Sequence, residues 1–181
     1  MAIVLDGTAG MTLPGSNTSA QLGSLTLGSS VTASGSNVDF TSIPSWVKRI
    51  TVNLNGISAA ATGGSYFVRI GSGGSAVSSG YNGISAGISG ATTSTGTQTA
   101  GFYAGSPGNA ATVLMYSTVV LVLQDASTNT WVASMTGYRD DSTDVFHSSY
   151  GIVSLSGVLD TVSVVLSSST FDAGTVNIMY E

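Results

Sequence analysis

From Trp46 to Asn55 apolar and polar positions alternate along the chain. Trp46, Lys48, Ile50, Val52 and Leu54 fall on one side, Val47, Arg49, Thr51, Asn53 and Asn55 on the other. This period of two is that of a β-strand with one buried face. Ile50, Val52 and Leu54 are therefore expected in a core, with Trp46 packed in it as well. Pro44, which fixes φ and lacks an N–H, is expected to set the start of the strand, and the Asn55-Gly56 pair to form the turn that ends it.

Similar segments follow at SYFVRIG from Ser65, TQTAGFYAG from Thr97, TWVASMTGYR from Thr130, VFHSSYGIVSLSG from Val145, LDTVSVVLSSS from Leu159 and TFDAGTVNIMYE from Thr170. In the last of these Val176, Ile178 and Tyr180 alternate with Asn177, Met179 and Glu181. The run TVLMYSTVVLVLQD, Thr112 to Asp125, is apolar on both faces, as in a strand covered on both sides. With a strand around Val38 this makes eight to ten, enough for two packed sheets. Gly71 to Gly96 is low in complexity and dense in Gly, which reads as a long loop. Residues 1–30 carry no sustained period and are expected to form an extended arm ordered against a neighbour. The predicted architecture is all-β: a jelly-roll-like β-sandwich over residues 31–181 behind an N-terminal arm over residues 1–30.

Composition supports this class. The only Glu is Glu181, and the abundance of Gly, Ser and Thr leaves helices unsupported. Charged residues are only 7% of the chain while 42% are hydrophobic, against about 25% charged in an ordinary soluble domain. A surface with so few charges is expected to be partly buried against identical subunits. Four Lys plus Arg against nine Asp plus Glu, a net charge of −5, exclude a field that gathers nucleic acid. The apolar run at Thr112 is shorter than the roughly 20 residues of a membrane helix. Cysteine is absent, so no thiolate site or disulfide frame exists.

Candidate chemistry is sparse. GYRDDSTDVFHSSYG, Gly137 to Gly151, gathers Asp140, Asp141 and Asp144 with Arg139 and the sole His147. Clustered carboxylates suit a hard cation, but the Gly and distal Glu of an EF-hand loop are missing. No metal or other cofactor is expected, and a solvated hairpin tip is the simpler reading. His147 could serve as a base, yet no GxSxG elbow accompanies it, and no enzymatic activity is expected. IGSGGSAVSSG, Ile70 to Gly80, has the glycines of a phosphate cradle without GK[ST] and reads as a turn. Aromatic rings beside Asn, Asp and Ser are the surfaces on which sugars stack. Tyr81, Tyr138 and Tyr150, with Asp140 and Asp141, are the candidates for glycan contact, while Trp131, like Trp46, is assigned to the core.

FTSIPSWVKRITVNLNGIS, VRIGSGG and the closing SLSGVLDTVSVVLSSSTFDAGTVNIMYE resemble a β-rich domain of tail fibre and minor tail proteins of tailed bacteriophages and prophages. LDGTAGMTLPGSNTSAQ is similar to a short segment that precedes such domains. The resemblance implies a virion structural protein, a homotrimer, that binds other virion proteins through residues 1–30 and meets host-surface polysaccharide. It carries over no catalytic residues. The chain lacks a long shaft, so a protein decorating the capsid is the alternative to a short, receptor-binding tail fibre.

Overall fold

The computed structural model describes residues 4–6, 10–12, 25–108, 112–141 and 145–181. In chain order the strands are β1 (Val4–Asp6), β2 (Gly10–Thr12), β3 (Thr26–Leu27), β4 (Val31–Thr32) and β5 (Asn37–Phe40). Next come β6 (Arg49–Ala59), β7 (Tyr66–Gly71), β8 (Asn82–Ser89), β9 (Thr92–Gln98) and β10 (Phe102–Gly105). The last are β11 (Leu114–Asp125), β12 (Thr130–Asp140), β13 (Val145–Ser154), β14 (Thr161–Leu166) and β15 (Phe171–Tyr180). No helix occurs among the described residues.

Two antiparallel sheets face each other across one core. The larger has nine strands in the order β3-β15-β6-β11-β12-β13-β8-β9, with β4 also paired to β15; the smaller has four, β10-β7-β14-β5. Ile50, Val52, Val119, Leu121, Trp131, Met135, Val176 and Ile178 from the large sheet meet Val38, Tyr66, Val68, Ile70, Val162 and Val164 from the small one. Tyr66 stacks on Phe171 with ring centroids 5.7 Å apart. β1 and β2 form a separate two-stranded ribbon. The large sheet reaches back into the expected arm, because Leu27 pairs with Met179 and Gly28 N–H donates to the Ile178 carbonyl. Part of residues 1–24 lies outside the described residues.

Several expectations are corrected. Trp46 is 42% exposed and Val47 is the buried neighbour. The chain turns at this point, with Val47 N–H bonded to the Pro44 carbonyl, and pleated alternation starts only at Arg49. Trp46 instead leans on Tyr180 at 5.8 Å. The Lys48-Arg49 doublet is anchored by backbone bonds to the Glu181 carbonyl, and Arg49 pairs with the Glu181 carboxylate at 3.1 Å. Both partners are exposed, so the pair adds little stability.

Asn55-Gly56 is a bulge and not a turn. The pairing of β6 slips against both neighbours at this point, and the buried set changes from the even positions Ile50, Val52 and Leu54 to the odd positions Ile57 and Ala59. Opposite it, Gly174 has φ +92°, and a Cβ there would lie 2.4 Å from the Gly56 carbonyl oxygen.

The Gly-rich segment from Gly71 holds the β8–β9 hairpin, in which Ile84, Ala86 and Ile88 alternate along β8 while β9 is built of Thr, Ser, Gly and Gln. TQTAGFYAG is not one strand: β9 ends in the large sheet, and after Thr99–Gly101 the chain crosses to β10 in the small one. β11 is buried on one face only, at Met115, Ser117, Val119 and Leu121, and Val122 on the other is 40% exposed.

The free edge of β10 lies against the large sheet. Ser117 donates to the Ala104 carbonyl at 2.9 Å and Ser149 to the Tyr103 carbonyl at 2.8 Å. These hydroxyls satisfy edge carbonyls that would otherwise be buried unpaired.

Gly174→Ala is expected to cost about 2–4 kcal/mol, combining left-handed strain with a backbone clash. Gly35→Ala, at φ +69° with open space around it, is expected to cost about 1–2 kcal/mol from strain alone. Urea unfolding of both variants reads the difference; equal losses would show that the bulge relaxes freely.

Candidate functional site

Three places gather the chemistry-bearing side chains. The first is the end of the β12–β13 hairpin, where the inner face of the large sheet runs past the edge of the small one. Arg139 Nε donates to Asp141 at 2.6 Å and its Nη1 to Ser106 Oγ at 3.1 Å. The Tyr103 hydroxyl lies 3.3 Å from His147 Nδ1. His147 Nε2 is buried without a partner.

A cavity of about 240 Å³ opens beside this cluster, lined by Arg139, Tyr103, His147 and the Ser94 side of the β8–β9 hairpin. Burial, followed by the Arg139 charge, holds the His147 pKa down at about 4, with Asp141 opposing. Asp140 points away from this cluster, toward the outer face beside Leu114. Among the described residues no three His, Cys, Asp or Glu come together as metal ligands, and Asp144 lies outside the described residues.

The second place is the outer face of the large sheet. One row across it reads Tyr116, Tyr138, Phe146, Ile88 and Thr93; the next reads Thr118, Thr136, Ser148, Ala86 and Thr95. Beyond these come Val120, Ser134, Tyr150, Ile84 and Thr97, then Val122, Val132, Ile152 and Asn82. Across these five strands the four rows carry no charged side chain; Arg49 on β6 continues the last row, and Asp140 stands one row beyond Tyr138. Tyr138 and Tyr150 are 49% and 56% exposed. They sit four positions apart in the lattice, about 14 Å, so they do not form a single sugar site. Tyr138 stacks on Tyr116 at 5.1 Å.

Tyr81 does not belong with them. It is buried, edge-on to Phe102 at 5.0 Å, and its hydroxyl accepts from Ile70 N–H at 2.9 Å. Burial pushes its pKa up to about 12. A tyrosine next to Gly80 looks like a loop residue in sequence, but here its ring closes the end of the core.

The third place is the outer face of the small sheet, where Asn37, Asp39, Arg69 and Ser163 line a groove of about 380 Å³. One wall is the glycine loop after Ile70. Gly73 and Gly74, both at positive φ, present their N–H groups to the Asp160 carboxylate at 2.8 and 3.1 Å. The anion-binding nest of this loop is therefore filled by the chain's own Asp160. Hydrogen bonds from Thr161 and then from the loop amides lower the Asp160 pKa. The groove residues carry no sequence motif; they come together from β5, β7 and β14 through strand register alone.

No protein-family model, no curated protein and no solved structure matches this chain.

The unfolded chain takes up a proton on His147 below about pH 6.5, whereas the folded chain resists until about 4. Stability is therefore complete above the higher value and lost as pH falls between the two. Urea unfolding is expected to show about 2–3 kcal/mol less stability at pH 4.5 than at pH 7. His147→Gln is expected to remove most of that difference, and an undiminished slope in this variant would assign it elsewhere.

Proposed function

We propose that this protein is a structural subunit of a bacteriophage particle, without catalytic activity, that assembles with copies of itself through the outer face of the large sheet. The observation that carries the reading is the scarcity of charge on that face: the four rows are uncharged across β11, β12, β13, β8 and β9, with Arg49 and Asp140 at their margins, in a chain whose net charge is −5. Like charges repel when copies of an acidic chain approach, and a face depleted of them is where close approach costs least.

The extent of the face agrees. Ile84, Ile88, Val122, Tyr138, Phe146 and Tyr150 are between 40% and 59% exposed. At about 150–250 Å² for a large side chain, they alone leave on the order of 600 Å² open. A stable interface takes roughly 800 Å² from each partner, and the intervening Thr, Ser and Val side chains supply the remainder. Exposed apolar patches of this size on a monomer mark contact sites. The resemblance of IPSWVKRITV and FDAGTVNIMYE to phage tail proteins supports placing the assembly in a virion, as a short fibre or as a capsid decoration.

A second reading has one observation in its favour. Tyr138 is 49% exposed beside its stack with Tyr116, and Asp140 stands two positions along the same face, about 7 Å away. A ring beside a carboxylate suits a sugar, in which case Tyr138 and Asp140 contact host glycan directly.

Light scattering on the purified full chain separates the two. An oligomer is expected, and Ile84→Asp or Tyr150→Asp is expected to weaken it at least tenfold while the melting curve of the subunit is retained. A monomeric wild type at high micromolar concentration would refute self-assembly through this face and leave the glycan reading in possession of it.

A further inference from the structure

The groove on the small sheet lies on the opposite side of the sandwich from the apolar face. Its floor is β14, with Ser163 and Val165; one bank is β5, with Asn37 and Asp39; the other is Arg69 and the Gly74–Ala76 loop. Asp39, Ser163 and Arg69 lie side by side in one row of the sheet.

Each of these groups is already held in place. Asp39 accepts from Ser163 Oγ on one carboxylate oxygen and from Asn37 Nδ2 on the other. Arg69 Nε donates to the Ala100 carbonyl at 2.7 Å, which fixes the plane of the guanidinium. The loop wall is fixed as well, by the bonds from Gly73 and Gly74 to Asp160 and by the Val77 N–H bond to the Ile70 carbonyl at 3.0 Å.

The unused capacity defines what fits. Each carboxylate oxygen has two lone-pair directions, and each has spent one. Ser163 retains its lone pairs after donating to Asp39. A carboxylate and a guanidinium in the same row cancel each other's charge, so neither an anion nor a cation gains from entering. Val165 and Ala76 add an apolar strip to a wall that is otherwise polar. The volume falls within the roughly 300–1,000 Å³ of small-molecule sites.

We propose that this groove binds a neutral polyhydroxylated ligand, a sugar unit, whose hydroxyls donate to Asp39 and accept from Arg69 while its C–H face rests on Val165. The site is distinct from Tyr138 and Tyr150 and stays open when the other sheet is covered, so it does not depend on the self-assembly reading.

The test is saturation-transfer NMR on the full-length protein with glucose, galactose, mannose and N-acetylglucosamine, each at tens of millimolar. Transfer to at least one sugar is expected. It should fall several-fold in Arg69→Gln and in Asp39→Asn, and persist in Tyr138→Ala. Asp160→Asn, which releases the loop wall without touching the floor, should weaken it too. Melting curves identify the variants that remain folded, and the comparison is made on those. The proposal is overturned if no sugar receives saturation from the wild type, or if the signal survives in the folded groove variants. Light scattering on the same samples reports self-assembly separately, so failure of one reading is not mistaken for failure of the other.

Discussion

Four strands cannot cover nine, and the rest of the molecule follows from that mismatch. The small sheet buries the middle of the large sheet's inner face, where Ile50, Val52, Val119 and Leu121 lie. Where it stops, the inner face turns polar: Ser85, Ser94 and Gln98 replace branched aliphatics, and Gln98 bonds to Ser85 at 2.8 Å. The change in side-chain chemistry tracks the edge of the cover, as burial energetics require. β10 marks that edge, and its carbonyls are held by Ser117 and Ser149 from the opposing sheet. Two hydroxyls thus do the work that a further strand would have done.

The same mismatch places the titratable groups. Arg139, Asp141 and His147 gather just outside the small sheet, where they are shielded enough to perturb one another but not enclosed by apolar residues. The Tyr103 hydroxyl sits beside Nδ1, and burial keeps the imidazole neutral. This arrangement is a structural joint between the β12–β13 hairpin and β10, with a pH-dependent stability as its consequence.

The two outer faces have opposite character. On the large sheet, Val, Ile, Tyr and Phe alternate with Thr and Ser in rows without charge; on the small sheet Asp39, Ser163 and Arg69 form a polar row beside a rigid loop. A face of the first kind gains by excluding water, and one of the second kind gains by exchanging hydrogen bonds with a polar ligand. One subunit carrying both is suited to assembling on one side and recognising on the other.

Much of the fold was legible in the sequence because alternation is a local consequence of the pleat. Ile50, Val52, Leu54, Val176 and Ile178 announced their inward orientation, and the shortage of charge announced an uncovered apolar surface. Signals that depend on a partner strand were not legible. Asn55-Gly56 has the letters of a turn, but the strands on both sides of β6 continue past it, and Gly56 at φ +59° makes a bulge instead. Tyr81 has the neighbours of a loop residue, yet its hydroxyl is used by Ile70. The β8–β9 hairpin carries its apolar residues, Ile84, Ala86 and Ile88, on the outer face, because its inner face of Ser85, Gly87 and Ser94 has no apolar partner to meet. The groove residues are separated by more than a hundred positions between Asp39 and Ser163, and only strand register sets them side by side. The sequence by itself determined the class, the period and the shortage of charge, which are properties of single segments. Which segments become neighbours, and so which side chains share a face, was decided by tertiary pairing, since hydrogen bonds between strands carry no mark in either strand alone.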